Sequence, residues 1–125
     1  MIDHMSIAVA DAERSKRFYE MTLKPLGMRC LTEMPEDGGG AYGFGVEGGG
    51  EFWVVHSDDV GKDMHVAFRA ETRAQVDAFY DAAIAAGGRD HGKPGLRPDY
   101  GPNYYAAFVY DPDGVNIEAV CYAEE

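Results

Sequence analysis

The sequence is short of cysteine, of positive charge and of long apolar runs, and each shortage excludes something. Cys30 and Cys121 stand alone, in no C-x-x-C or zinc-knuckle spacing, so they read as two buried thiols packing like small hydrophobes. Lys and Arg number 11 against 22 Asp and Glu, a net charge of −11. A surface that negative repels phosphate backbones and anionic lipid, which argues against nucleic-acid and membrane partners. Its ordinary effect is solubility, and it would also attract a cationic ligand. The apolar runs are only a handful of residues long, far short of a membrane-spanning helix. Met1-Ile2-Asp3-His4 has neither the basic stretch nor the apolar run of a signal peptide, and the expected location is the cytoplasm.

What the chain does have is enough apolar matter for a core, and a repeat. Its 125 residues are 46% hydrophobic and suit one domain, 1–125, or two small modules sharing a core. At a spacing of 61 residues His4 falls on His65, Phe18-Tyr19 on Phe79-Tyr80 and Gly27 on Gly88. Val76, Phe79, Tyr80, Ala83 and Ile84 form a helical stripe at spacings of three and four, and Ser15, Phe18, Tyr19, Thr22 and Leu23 form a more polar copy. Asp11 and Thr72 stand at the N-caps, Thr72 with Gln75 making a capping box. Gly27 and Gly87-Gly88 end the two helices.

Strands are expected at 2–9, 28–34, 42–47 and 51–56 in the first half, and at 63–69, 104–110 and 115–122 in the second, with a weak one near 88–91. The pattern is βαβββ twice, module one covering about 1–57 and module two about 63–122, joined by a polar link at 57–62. Glycine tracts at 38–40 and 48–50 read as hairpin tips. Asp111-Pro112-Asp113-Gly114 fits a type I turn feeding the last strand.

His4 and His65 are repeat partners at the start of equivalent strands. Glu118 is a carboxylate in a strand otherwise built for a core, costly unless paired or bound to metal. Two imidazoles and a carboxylate make a donor set with open positions, suited to one divalent ion of Fe, Mn, Co, Ni or Zn acting as Lewis acid.

These residues carry a resemblance. Ile2-Asp3-His4, the Phe18-Tyr19 helix, His65-Val66-Ala67-Phe68 and above all Asp111-Pro112-Asp113-Gly114-Val115-Asn116-Ile117-Glu118 resemble the vicinal oxygen chelate superfamily. That superfamily includes glyoxalase I, bleomycin resistance proteins, fosfomycin resistance enzymes and extradiol dioxygenases. The resemblance covers essentially the whole chain. It implies an α+β, glyoxalase-like fold of two tandem βαβββ modules curling into a cup-like mixed sheet around a metal, usually in a homodimer. A half-open cup also leaves strand edges needing cover. Carried over, the ligands are His4, His65 and Glu118. The fourth position falls on Trp53 when Gly49 is matched to Gly114, or on Val54 with a shift of one. Glyoxalase I enzymes resemble this plan but carry a second glutamate there, and here Glu51 is only nearby.

The connection 87–104 is rich in Gly and Pro and carries Arg89, Lys93, Arg97, Tyr100 and Tyr104, with Tyr105 next to it, a basic and aromatic wall fit for a small oxyanion or aromatic acid. The substrate pocket is expected to draw on Arg97 first, then Tyr100, Tyr105, Phe108, Trp53 and Phe44. His56 and His91 read as structural or solvated. The leading function is a metal-dependent lyase or isomerase acting on a small oxygen-chelating substrate. The general base is open between Glu118 as ligand carboxylate, a tyrosine and water on the metal. The alternatives are a metal-independent protein that sequesters a ligand, as bleomycin resistance proteins do, and an extradiol-type dioxygenase.

Overall fold

A computed structural model describes residues 2–60 and 64–124. The end of the expected link (61, 62) and the expected first residue of the second-half strand (63) lie outside the described residues. The elements run β1 (His4–Val9), α1 (Ala12–Leu23), a 3₁₀ turn (Lys24–Leu26), β2 (Arg29–Glu36), β3 (Gly39–Gly45), β4 (Glu51–His56), β5 (His65–Arg69), α2 (Arg73–Ala85), β6 (Arg89–Leu96), β7 (Tyr105–Tyr110) and β8 (Asn116–Cys121). This is βαβββ twice. The strands make two four-stranded mixed sheets of the same order, β1-β4-β3-β2 and β5-β8-β7-β6. In each, the first strand runs parallel to the fourth, and the other pairs are antiparallel. A parallel pair needs a crossover, and each module supplies one through its helix and hairpin.

The helices form where their caps and stripes place them. Asp11 accepts from the Arg14 amide at 3.0 Å. Thr72 accepts from Gln75 at 3.1 Å while the Gln75 side chain returns to Thr72, closing the capping box. The buried stripe of α1 includes Ser15, Phe18, Tyr19, Thr22 and Leu23. In α2 Val76, Phe79 and Ala83 are buried, but Ile84 is 40% exposed because it lies at the margin of the stripe. Cys121 is buried, whereas Cys30 is only half-buried.

Both modules feed one core. Ile7, Val9, Phe18, Tyr19, Phe44, Val54, Val66, Phe79, Val109 and Ile117 belong to a single apolar cluster. Phe52 of β4 meets Phe68 of β5 edge to face at 5.2 Å. The turn before β8 also ties the halves together. Asp111 Oδ1 accepts the amides of Asp113 and Val115, its Oδ2 accepts the buried Tyr19 hydroxyl at 2.6 Å, and Arg14 reaches Asp113. Gly114 takes φ +86 in that turn, a left-handed value that favours glycine.

One expectation needs correcting. The connection 87–104 is not open throughout, because β6 fills Arg89–Leu96 as an edge strand against β7, with register shifts on both sides of Gly92. Gly92, Pro94 and Gly95 hide the usual alternation, and edge position is where a sheet tolerates proline. Only 97–104 remains a loop, closed by Arg97 N–H donating to the Tyr104 carbonyl at 2.7 Å. No helix among the described residues is long and apolar enough to cross a membrane.

Candidate functional site

Strand alternation divides each sheet into a face packed on the common core and an open face. On β5, Val66 is buried while His65 and Ala67 are exposed. Ala67 is the register partner of Glu118, which pairs in turn with Phe108 of β7. His65, Glu118 and Phe108 therefore share the open face of the second sheet.

There the imidazole and the carboxylate meet. His65 Nε2 lies 2.9 Å from Glu118 Oε1, and His65 Nδ1 lies 3.0 Å from the Asn116 carbonyl oxygen. Glu118 is only 2% exposed, and its other oxygen accepts the hydroxyl of Tyr104. Burial above all, and next the hydrogen bond to this carboxylate, push the Tyr104 hydroxyl well above the ordinary tyrosine value. It stays protonated and donating. Tyr104 is itself braced edge-on by Tyr100 at 5.3 Å and Tyr122 at 5.4 Å.

His4 does not join them within one chain. It lies on the first sheet, exposed, with Nδ1 2.7 Å from Asp3. Its register partner is Glu51, and Ser6 stands opposite Trp53. His4, Ser6, Glu51, Trp53 and Val55 line a hollow of about 390 Å³ on that open face. Because His65 stands opposite Asn116 and Ala67 opposite Glu118, the equivalent of Glu118 in module one is Trp53. Val54 is on the other face, fully buried in the core. Among the described residues no group of three or more His, Cys, Asp or Glu is placed to hold a metal ion.

The pocket residues divide. Arg97, Tyr100 and Phe108 line a hollow of about 280 Å³ with His91, Gly92 and Asn116. It adjoins the pair, since the His65 ring stacks on Phe108 at 6.2 Å. Trp53 belongs to the other hollow. Tyr105 points to the helix side of its sheet, where its hydroxyl donates to Asp77 of α2 at 2.6 Å under Arg73. Phe44 is fully buried in the core, 6.1 Å from Tyr19. Neither lines the hollows. His56 is held by the Ala10 carbonyl at 3.1 Å. His91 stacks on Tyr110 at 4.2 Å and lines the hollow. Sequence reasoning did not assign Asn116 to the site or Tyr104 to the carboxylate. The period of two from Glu118 back to Asn116 was a usable signal for the first.

Comparison with known proteins settles the lineage. The sequence profile of the Glyoxalase/Bleomycin resistance protein/Dioxygenase superfamily matches residues 1–119. The chain belongs to that superfamily. It is 31% identical over 131 aligned positions to an uncharacterized Bacillus subtilis protein, YqjT, covering 94% of this chain and 95% of that one. A glyoxalase/bleomycin resistance protein from Albidiferax ferrireducens superposes with a TM-score of 0.82 at 29% identity, over 98% of this chain and 99% of that one. A glyoxalase I mutant from Zea mays shares the fold at a TM-score of 0.73 and 24% identity, over 95% of this chain but 46% of the maize chain.

Proposed function

We propose that this superfamily member is a cytoplasmic, divalent-metal-dependent enzyme of lyase or isomerase type, acting on a small substrate through neighbouring oxygens. One observation carries the reading: the approach of His65 Nε2 to Glu118 Oε1 at 2.9 Å. A backbone carbonyl can only accept, so the ring proton lies on Nδ1, facing Asn116. Nε2 then turns a lone pair toward a carboxylate oxygen, and the two repel unless they share a cation, either a proton or a metal ion. The donors fit a metal. A ligand histidine is commonly fixed through its other nitrogen by a carbonyl, and a ligand carboxylate by a hydroxyl. Asn116 and Tyr104 stand in those roles here.

His65 and Glu118 would hold the ion together with His4 supplied by a second copy of the chain, because His4 lies on the open face of the other sheet. Nitrogen and oxygen donors with open positions accept Fe, Mn, Co, Ni or Zn. When bound, such an ion polarises substrate oxygens as a Lewis acid. The chain's own residues orient the donors: Asn116 fixes the tautomer of His65, and Tyr104 holds Glu118 against rotation. The Glu118 carboxylate, beside the substrate hollow, is also the candidate proton acceptor.

The test is elemental analysis of protein made without a histidine tag. About one metal ion per chain is expected in wild type and none in His65→Ala. Wild type that retains no metal after incubation with Mn, Fe(II), Ni, Co and Zn would overturn the reading. A second reading, a metal-independent protein that sequesters a ligand, draws on the absence of a three-donor group among the described residues. The net charge of −11 would suit a cationic ligand. Ligand binding that persists after complete metal removal would favour it.

A further inference from the structure

The hollow beside the His65–Glu118 pair holds a cation, Arg97, built into place with no counter-charge among the described residues. The guanidinium of Arg97 folds back across β6 and lies over the Phe108 ring, 5.5 Å from its centroid. It occupies space that side chains would need. A Cβ on Gly92 would meet the Phe108 ring at 3.0 Å and Nη2 at 3.2 Å, and one on Gly95 would come within 3.1 Å of Nη1. The two glycines that break the alternation of β6 therefore make the seat for this side chain. Nη2 donates to the Lys93 carbonyl at 2.7 Å, which fixes the plane of the fork. Among the described residues no carboxylate pairs with Arg97, in a chain with twice as many acids as bases.

The walls around the guanidinium are flat and aromatic: His91, Tyr100 and Phe108. A hollow of about 280 Å³ suits a small molecule. A lone guanidinium fork matches a planar monoanion better than a multiply charged phosphate.

We infer that this hollow binds a small aromatic monocarboxylate, with Arg97 taking the carboxylate. The inference names a substrate class for the proposed enzyme and rests on that reading for its catalytic meaning, though not for binding itself. It makes Arg97 a specificity-determining residue rather than a catalytic one.

The experiment is titration calorimetry with benzoate and its methyl ester, on protein stripped of metal and again after loading with Ni. Wild type should prefer the acid over the uncharged ester by about tenfold or more, the scale of one charge-assisted hydrogen-bonded contact. Arg97→Gln should bind acid and ester alike, with Arg97→Lys between. Thermal unfolding checks that each variant is folded. Equal binding of acid and ester by wild type, no binding of any probe, or discrimination surviving in Arg97→Gln would each overturn the inference. Discrimination by protein that retains no metal upholds the seat while overturning the metal reading. Metal retention without discrimination does the reverse.

Discussion

The two modules share order, register and core but differ in what stands on their open faces. In module one, bulky Trp53 on the last strand lies opposite Gly43 on its neighbour, and the first-strand histidine is exposed beside Glu51. In module two the matching places hold Glu118 opposite Phe108, and the first-strand histidine touches the carboxylate. The bulky aromatic has changed strands, and among the described residues a first-strand histidine meets a last-strand carboxylate only in module two. A duplicated scaffold needs both copies to keep their inner faces, because those build the common core. Only the open faces are free to diverge. In this chain one face carries the His65–Glu118 contact with its supports, and the other a hollow lined by His4, Ser6, Glu51, Trp53 and Val55.

The largest test of this asymmetry exchanges nothing but the matched positions. Glu118→Ala should lower metal affinity by more than about a hundredfold, beyond the loss typical of an outer support, whereas Trp53→Ala should change it far less. Equal losses, measured by competition with a chelator, would mean that the faces are not specialised as described.

Gly43 sharpens the same contrast at the level of packing. A Cβ there would meet the Trp53 ring at 2.7 Å and Glu51 Oε2 at 3.0 Å. Gly43→Ala should cost about 1–3 kcal/mol in urea unfolding. Most of that cost should vanish on a Trp53→Ala background, since the clash is with that ring. Additive losses would place the strain elsewhere.

The smallest effect concerns the turn that joins the modules. The Asp111 carboxyl is held above the ordinary carboxylate value, chiefly by burial, against the hydrogen bonds from Tyr19, Val115 and Asp113. The folded chain thus binds this proton more tightly than the unfolded one. The associated stability is full below the unfolded value, falls as pH rises through the folded value, and is level above it. Asp111→Asn cannot ionise, so its unfolding midpoint should gain on wild type as pH rises from about 3 to about 7. A difference that moves the other way would show the hydrogen bonds outweighing burial.

Much of this was legible in the sequence because it rests on short-range rules. The repeat placed His4 and His65 on equivalent strands, the caps bounded both helices, and matching the glycines before the last strands narrowed the counterpart of Glu118 to Trp53 or Val54, between which the strand register decides. What was not legible depended on parity and edges. Tyr104 and Tyr105 are adjacent, and only the start of β7 decides which one reaches Glu118 and which one reaches Asp77. Phe44 shares its parity with the core residue Tyr42 and leaves only the small residues Gly39, Ala41, Gly43 and Gly45 on the open side of β3, so alternation could have placed it inside. β6 hid behind Gly92, Pro94 and Gly95, residues that signal a loop until a neighbouring strand pairs with them. No pattern in one chain can say whether the proposed metal site joins His65 and Glu118 on one sheet to His4 on the other sheet of a second copy.

That last point is the central claim, and mixing two defective variants tests it most directly. His4→Ala and His65→Ala, unfolded together and refolded as a mixture, would form some dimers in which the intact His4 of one protomer meets the intact His65 and Glu118 of the other. The account predicts that each variant alone holds little metal, and that the mixture regains metal in proportion to the mixed dimers formed. If the mixture stays as empty as its components although mixed dimers are present, the site is not shared between copies and the account is wrong.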